Sequence, residues 1–232
     1  MYVSPYVPSR DNIISDNIFF KDGILVKESG NTFSNNKING KPLIYLEGES
    51  NKIIDGRAGQ IILINCNNIE IKYKILSSTT IGLDLINSHN CLISRNKISG
   101  NTISGISIEG NDNTISNNWI TRNREGIYIV GDNNMISRNN IIINLRGLFW
   151  IGIDNIVQEN NFIFNIRNAK FYVESKEDYT TSWSRNYWGR PRVIKIVHGA
   201  RPYELSSFLE IPIPCIGFDW RPAKLPYIIL VT

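Results

Sequence analysis

Two carboxylates in repeated stretches of this sequence are candidate catalytic residues. Asp84 lies in "GLDL", Glu109 follows "GISI", and Lys97 lies between them. Inverting hydrolysis of a glycosidic bond needs two carboxyl groups roughly 6.5 to 9.5 Å apart, and polysaccharide lyases combine acidic calcium ligands with an Arg or Lys base. The position equivalent to Asp84 in the next repeat holds Ser107. Asp84, Glu109 and Lys97 are thus candidate catalytic residues, but Asp84 has no carboxylate beside it at the equivalent position of the next repeat. The alternative is that all three are solvated surface groups.

Metal binding has one candidate group. Cys66, His89 and Cys91 are spaced so that a turn between successive repeats can bring them together. Thiolate, imidazole and thioether groups are the ligands that copper prefers, yet the chain has only 2 His and 2 Met. Small core thiols beside a turn histidine are the simpler interpretation. The sequence therefore predicts no metal and no cofactor.

Aromatic and arginine side chains point to a third kind of chemistry, the binding of sugars. Sugar rings stack on aromatic faces, and guanidinium groups orient sugar hydroxyls. Outward positions of the repeated strands become aromatic toward the C-terminal half, in a row that begins with Tyr45. The candidate ligand-binding residues are Tyr128, Phe149, Tyr172, Arg95, Arg124 and Arg138. An aromatic ladder also stabilises stacked strands without a ligand, so both interpretations stay open.

The elements that position these residues come from an internal repeat of about 21 residues. In stretches such as "SRNKI" and "SNNWI", an apolar anchor is followed three residues later by asparagine and five residues later by a second apolar residue. The anchors are Ile14, Phe33, Ile53, Ile71, Ile93, Ile115, Ile136 and Val157. The asparagines are Asn17, Asn36, Asn96, Asn118, Asn139 and Asn160.

A further column in each repeat begins with glycine and then alternates, as a strand of period two does. It reads "GILV" at Gly23, "GLDL" at Gly82, "GISI" at Gly105 and "GIYI" at Gly126. Each repeat thus holds three short strands and three turns. The sequence predicts an all-β fold, a right-handed parallel β-helix of about nine three-strand coils, over residues 1–188.

Stacked coils place equivalent residues above one another, which predicts a role for the asparagines. We expect each of them to adopt the left-handed conformation in a bend and to bond the asparagines above and below. A second column stands two residues before the anchors and is expected to form outer turns. Its members are Asn12, Asn31, Asn51, Asn113, Asn134 and Asn155.

The period ends near Trp188, which is predicted to cover the last coil with its ring. Residues 189–232 are expected to form a non-repeating cap, with a short helix in "RPYELSSFLE". No similar cap precedes Ile13, so we expect that end to be covered by Tyr2 to Pro8, by another chain or by a missing segment. The second case predicts self-association through the N-terminal coil.

Composition excludes several classes of protein. The net charge of +4 is mild and comes mostly from the cap, which argues against a nucleic-acid partner. Three cysteines are too few for a disulfide framework. The opening "MYVSPYVPSR" shows no signal peptide, and no apolar run is long enough for a membrane span.

The repeated "N-x-I-S-x-N-x-I" and "G-I-x-I" units, with "NYWG" and "FDWRPA" near the end, resemble NosD-type right-handed β-helix proteins. This group belongs to the pectin-lyase-like class of carbohydrate-binding and sugar-hydrolase repeats. The resemblance implies polysaccharide binding or cleavage, a surface role, or copper delivery, and an extracellular or cell-surface location.

The residues and the resemblance together favour a non-catalytic carbohydrate-binding or cell-surface module, with a polysaccharide or glycan as partner. Three alternatives stay open: a structural subunit that assembles through its coil ends or flanks, a polysaccharide hydrolase or lyase, and a copper-binding accessory protein.

Overall fold

The computed structural model describes residues 10–173, 182–206 and 209–231, which form strands and no helix. In chain order the strands are β1 (Ile13–Ser15), β2 (Ile18–Phe19), β3 (Thr32–Ser34), β4 (Lys37–Ile38), β5 (Lys41–Glu47), β6 (Ser50–Ile54), β7 (Gln60–Ile64), β8 (Asn67–Lys72), β9 (Ile75–Ser77), β10 (Ile81–Ile86), β11 (Leu92–Ser94), β12 (Lys97–Ser99), β13 (Ser104–Glu109), β14 (Thr114–Ser116), β15 (Trp119–Thr121), β16 (Glu125–Val130), β17 (Met135–Ser137), β18 (Asn140–Ile142), β19 (Arg146–Ile151), β20 (Ile156–Gln158), β21 (Asn161–Ile163), β22 (Arg167–Tyr172), β23 (Ser182–Ser184), β24 (Lys195–Ser206) and β25 (Leu209–Asp219).

Three parallel sheets run along the molecule, because the chain visits each sheet once per turn. Sheet 1 stacks β5, β7, β10, β13, β16, β19, β22 and β24. Sheet 2 stacks β6, β8, β11, β14, β17, β20, β23 and β25. Sheet 3 stacks β9, β12, β15, β18 and β21. The result is a β-solenoid of about eight turns, which confirms the predicted fold class. Among the described residues, none belongs to a helix long and apolar enough to cross a membrane.

The core consists of vertical files of apolar side chains. One file on sheet 2 runs through Ile71, Ile93, Ile115, Ile136 and Val157, all fully buried. The repeat predicted this file, with one error of register. Ile53 is 56% exposed, and its neighbour in the chain pairs with Ile71 and takes the core position.

Aromatic rings replace aliphatic side chains in the last turns of the core. Trp150 packs on Phe171 and Trp183, with ring centroids 5.5 and 4.7 Å apart. Trp188 stacks on Phe162 at 4.6 Å and is buried, which confirms the ring predicted over the last turn.

The predicted asparagine ladder is present at the corner between sheets 2 and 3. This first ladder contains Asn96, Asn118, Asn139, Asn160 and Asn186. In each step a backbone N–H donates to the Oδ1 of the next asparagine, at 2.9 to 3.0 Å. The side-chain amide of Asn118 also donates to the carbonyl of Ile93, at 2.9 Å. Buried amides therefore satisfy one another along the axis.

The predicted backbone conformation of these asparagines was wrong. The residue just before each of them, such as Arg95, Asn117 or Arg138, has a positive φ of 52 to 56°. This left-handed residue turns the chain, and the asparagine after it can then direct its amide into the corner. Turn-forming and ladder-forming roles thus belong to adjacent positions.

Asparagine ladders also occupy the other two corners. The second ladder, between sheets 1 and 2, contains Asn113, Asn134 and Asn155. We predicted these three as outer turns, but they are fully buried. The third ladder, between sheets 3 and 1, was not predicted and contains Asn101, Asn123, Asn144 and Asn165. Each corner needs buried acceptors for its backbone N–H groups, which explains the high asparagine content.

The N-terminal part departs from the predicted coil. Strands β1 and β3 pair with each other, as do β2 and β4, and β4 turns back onto β5 through Asn39 and Gly40. The stretch "GILV", predicted as a strand, forms no strand. Residues 23–28, here called the strap, instead cross the outer face of sheet 1, where Val26 packs on Ile62 and Ile64. The strap is required because these two side chains point outward from the sheet.

At the other end, β24 and β25 form an antiparallel hairpin that adds one strand to sheet 1 and one to sheet 2. The helix predicted in "RPYELSSFLE" was wrong, since strands lie on both sides of residues 207–208. The buried carboxylate of Asp219 ends the first ladder by accepting bonds from the backbone N–H of Asn186 and the indole N–H of Trp188. The boundary between β-helix and cap at residue 188 stays a prediction, and Tyr2 to Pro8 lie outside the described residues.

Candidate functional site

The outer face of sheet 1 carries most of the predicted site residues. The strand register aligns Tyr45, Ile62, Asp84, Ser107, Tyr128, Phe149 and Lys170 in one outward row. This confirms the predicted row, with one correction. Tyr172 pairs with Ile151 and lies in the neighbouring row, which also holds Glu109.

Tyr128 and Phe149 form the central feature of this face. Their rings stack in adjacent turns with centroids 5.7 Å apart and planes at 28°. The guanidinium of Arg146 lies 4.9 Å from the centroid of Phe149 and forms an ion pair of 3.2 Å with Glu125. Burial, with Glu125 and Glu109 nearby, raises the pKa of the Tyr128 hydroxyl, which therefore stays a neutral donor. We call these four residues, Glu125, Tyr128, Arg146 and Phe149, the aromatic platform.

The three predicted arginines do not converge on this platform. Arg124 lines a cavity of about 290 Å³ together with Glu125 and Arg146. Arg95 and Arg138 lie instead at the corner between sheets 2 and 3. There Arg95 contacts the ring of Tyr73, and Arg138 pairs with a glutamate at 2.7 Å. Only Arg124 of the three is therefore placed to contact a ligand on sheet 1.

A second cavity, of about 380 Å³, lies between the strap and sheet 1. Asp84, Ser107 and Glu109 line it from the sheet, and Lys27 and Glu28 line it from the strap. Burial, and to a smaller extent Glu109, raises the pKa of Asp84 to about 7, although a hydrogen bond with Ser107 acts in the opposite direction. This carboxyl group is therefore partly protonated at neutral pH.

The predicted catalytic group is thus divided between two sheets. Asp84 and Glu109 share the strap cavity, whereas Lys97 lies on β12 in sheet 3 and is exposed. A base at Lys97 cannot act on a substrate held beside Asp84 because the core of the solenoid lies between them. Any acid–base chemistry in this cavity would rest on the two carboxyl groups.

The side chains of Cys66, His89 and Cys91 take part in the packing of a corner. The Nδ1 atom of His89 accepts a bond of 3.0 Å from the backbone N–H of Asn111. Both thiols contact backbone carbonyls, and burial raises the pKa of each thiol. Across the described part of the chain, no three His, Cys, Asp or Glu side chains are grouped to hold a metal ion.

Sequence reasoning missed Glu125 and Arg146 as members of the site. Both stand just before the glycine of successive "G-I-x-I"-like strands, in "REGIYI" and "LRGLFW". Extending the column alignment by one residue toward the N-terminus would have aligned them, and the register confirms that they pair.

Comparison with curated proteins and with solved structures gave no match. The model of the NosD family, described as "Periplasmic copper-binding protein", matches residues 44–193. Copper(I) and copper(II) need convergent thiolate, thioether or imidazole ligands. The described residues do not fit that requirement, because His89 bonds the backbone and both thiols of the corner are buried. The match nevertheless covers more than half of the 232 residues, and with the stacked fold it shows that the chain belongs to the NosD family.

Proposed function

We propose that this protein is a non-catalytic glycan-binding module whose site is the aromatic platform. The observation that carries this proposal is the stacked pair Tyr128 and Phe149 on the outer face of sheet 1, beside the Arg146–Glu125 ion pair. Both rings are partly exposed on this face. A pair of aromatic faces flanked by a donor and an acceptor has the composition of a sugar-binding surface.

The geometry suits an extended polymer more than a single sugar. Successive strands of a sheet are about 4.8 Å apart, so the outward row offers a new side chain at each step. Ser107 precedes the two rings in this row, and Lys170 follows them. A chain lying along the row would stack on the rings and bond polar groups on both sides of them.

The experiment is retention of the purified protein on a panel of immobilised polysaccharides. Replacing both rings, Tyr128→Ala with Phe149→Ala, is expected to weaken binding about tenfold or more, in line with the loss of two stacking contacts. The matched control is Trp119→Ala, which removes an exposed aromatic ring from sheet 3 and should leave binding unchanged. Failure of the parent protein to bind any polysaccharide, or equal retention of the double variant, would remove this proposal.

The family description supports a proposal for the location of this activity. The NosD family is described as periplasmic. We propose that the protein acts outside the cytoplasm, in the periplasm or at the cell surface, where it meets polysaccharides of the envelope. Nucleic acid is not among the partners we propose, since the described face combines both signs of charge.

A second candidate function is polysaccharide cleavage in the strap cavity. The observation that favours it is the pKa of Asp84, raised to about 7 in a cavity that a second carboxyl group also lines, because glycoside hydrolysis uses two carboxyl groups, one of them an acid with a raised pKa. Release of reducing ends or unsaturated sugars from a bound polysaccharide would support it. Activity that survives in the Asp84→Asn variant would eliminate Asp84 as the acid.

A further inference from the structure

The outward residues at the corner between sheets 3 and 1 change type in the last turns. Earlier turns carry Ser99, Gly100 and Thr102 there, followed in the next turn by Thr121, Arg122 and Arg124. The turns that contain β18 and β21 carry apolar residues at the same three positions. We call these six residues the apolar ridge: Ile142, Ile143, Leu145, Ile163, Phe164 and Ile166.

The ridge is largely open to solvent. Ile143 and Leu145 are 47% and 50% exposed, and Phe164 and Ile166 are 80% and 77% exposed. Single exposed apolar residues are common on proteins, but a contiguous group indicates contact with something else. The solenoid core does not require this group, because the equivalent positions in earlier turns are polar or glycine.

Two residues of the ridge adopt a backbone conformation that is energetically unfavourable for their residue types. Ile143 and Phe164 occupy the left-handed position of the corner, with φ of 56° and 55°. A β-branched or bulky residue rarely adopts this conformation, whereas earlier turns place Ser78 and Gly100 there. Apolar side chains are thus held at the protruding edge despite strain, which is a pattern typical of functional positions.

Basic residues border the ridge on the side of sheet 1 and in the preceding turn. Arg124, Arg146 and Arg167 line the cavity whose apolar wall is formed by Leu145 and Ile166. Arg146 is paired with Glu125, but Arg124 and Arg167 form no ion pair within residues 10–173, 182–206 and 209–231, and the same holds for Arg122. The surroundings of the ridge are therefore positively charged.

The C-terminal segment adds further apolar surface beside the same turns. The side-chain amides of Asn140 and Asn161 donate to the carbonyls of Ile229 and Tyr227, which fixes this segment on the outer face of sheet 3. Ile228 and Leu230 are 92% and 74% exposed there. The apolar surface thus extends from the corner onto sheet 3.

We propose that the apolar ridge binds the surface of a membrane that contains anionic lipids. A corner of the solenoid is convex, so its side chains can enter a planar lipid interface, while the arginines around it contact lipid phosphates. A second copy of this chain is a poorer occupant, because a two-fold contact through the ridge would bring two groups of unpaired arginines together. The ridge shares no residue with the aromatic platform, although Arg146 of the platform lines the cavity beside the ridge, so substitutions in the ridge leave the platform residues unchanged.

The test is co-sedimentation with vesicles of phosphatidylcholine, with and without phosphatidylglycerol. We expect the parent protein to bind the mixed vesicles, and the Ile143→Asn, Phe164→Asn variant to bind them about tenfold or more weakly. Asparagine tolerates the left-handed conformation, so this variant should keep or raise the melting temperature. The matched control removes two exposed apolar side chains of the same residue types elsewhere, Ile18→Asn with Phe20→Asn, and should bind as the parent does.

A variant that removes charge separates the contribution of the arginines from that of the apolar side chains. Arg122→Gln with Arg167→Gln should reduce binding to the mixed vesicles and should lower the ratio of binding to mixed vesicles over binding to phosphatidylcholine alone. The proposal is overturned if the parent ignores the mixed vesicles, if it binds both kinds equally, or if the ridge variant binds as the parent does. It is also overturned if sedimentation velocity shows a ridge-dependent dimer that does not bind vesicles.

Discussion

At the scale of single residues, each corner of the solenoid divides its work between two neighbours. The left-handed residue turns the chain and points outward, as Asn117 does, and the next residue fills the corner with its amide, as Asn118 does. Both positions accept asparagine for different reasons, since one uses its tolerance of positive φ and the other its two hydrogen-bonding groups. Composition alone therefore cannot tell these two roles apart.

Replacing the two asparagines separately tests this division. Asn118→Leu should lower the free energy of unfolding by about 1 to 3 kcal/mol, because the N–H of Asn96 and the carbonyl of Ile93 lose their partner inside the corner. Asn117→Asp keeps a residue that tolerates the left-handed conformation, and it should change stability by less than about 0.5 kcal/mol. Urea denaturation measures both values. Equal effects of the two substitutions would contradict the assignment.

The buried carboxyl group of Asp84 should make the stability of the protein depend on pH. Burial raises its pKa from 3.8 to about 7 in the folded protein, so the folded state retains a proton that the unfolded state releases. Stability attributable to this group is then fully present below about pH 4 and is lost as the pH rises to about 7. The difference in the free energy of unfolding between Asp84→Asn and the parent should therefore change with pH. It should favour the variant by on the order of 2 to 4 kcal/mol more at pH 8 than it does at pH 4.

Thermal unfolding of parent and Asp84→Asn across this pH range supplies the measurement. Asp112→Asn provides the control, since it makes the same replacement at an exposed position outside the strap cavity. If the Asp84→Asn curve ran parallel to that of the parent, the buried carboxyl group would not be protonated in the folded protein. If Asp84→Asn is more stable than the parent but no longer cleaves a polysaccharide, then Asp84 lowers stability and is retained for its role in the reaction.

At the scale of elements, the repeat predicted the strands of sheets 1 to 3 in the middle of the chain and failed at both ends. Alternation in "GILV" has the same period as in "GISI", but it does not say which backbone will pair with it. The outward pair Ile62 and Ile64 needed a cover, and the strap supplies it. Near the other end, pairing with β22 and β23 overrode the local helical pattern of "RPYELSSFLE".

Hydrogen bonds and apolar packing attach the strap to sheet 1, and each kind of contact can be tested. Gln60 exchanges two hydrogen bonds with the backbone of Ile24, at 2.9 and 2.7 Å, and Val26 is buried against sheet 1. Val26→Asn should release the strap and speed amide exchange at Ile24, while strand β16 stays protected. Leu25→Asn is the matched control because Leu25 is 51% exposed. Unchanged exchange in the Val26 variant would show that the strap does not depend on this contact.

At the scale of the whole molecule, a solenoid has two ends that must be closed, and the C-terminal end is closed by both core and polar contacts. The rings of Trp183 and Trp188 cover the core, with centroids 5.7 Å apart. Tyr227 reaches back to the carbonyl of Arg185 from the last segment of the chain. The aromatic residues were recognisable in the sequence, but the polar closure was not, because the residues that meet there are far apart in the chain.

Asp219 joins these two kinds of contact, so its replacement tests how this end of the solenoid is closed. Its carboxylate accepts bonds from the backbone N–H groups of Arg185 and Asn186 and from the indole N–H of Trp188, at 2.9 to 3.1 Å. Each of these neighbours is a hydrogen-bond donor. The N–H₂ group of an asparagine side chain at this position would face those donors and could not accept a hydrogen bond from them. Asp219→Asn should therefore lower the free energy of unfolding by about 2 kcal/mol, although the side chain keeps its size. Urea denaturation monitored by tryptophan fluorescence reports the loss directly at the affected rings, with Asp112→Asn as the neutral comparison. A variant as stable as the parent would mean that the end of the solenoid is closed by ring packing alone.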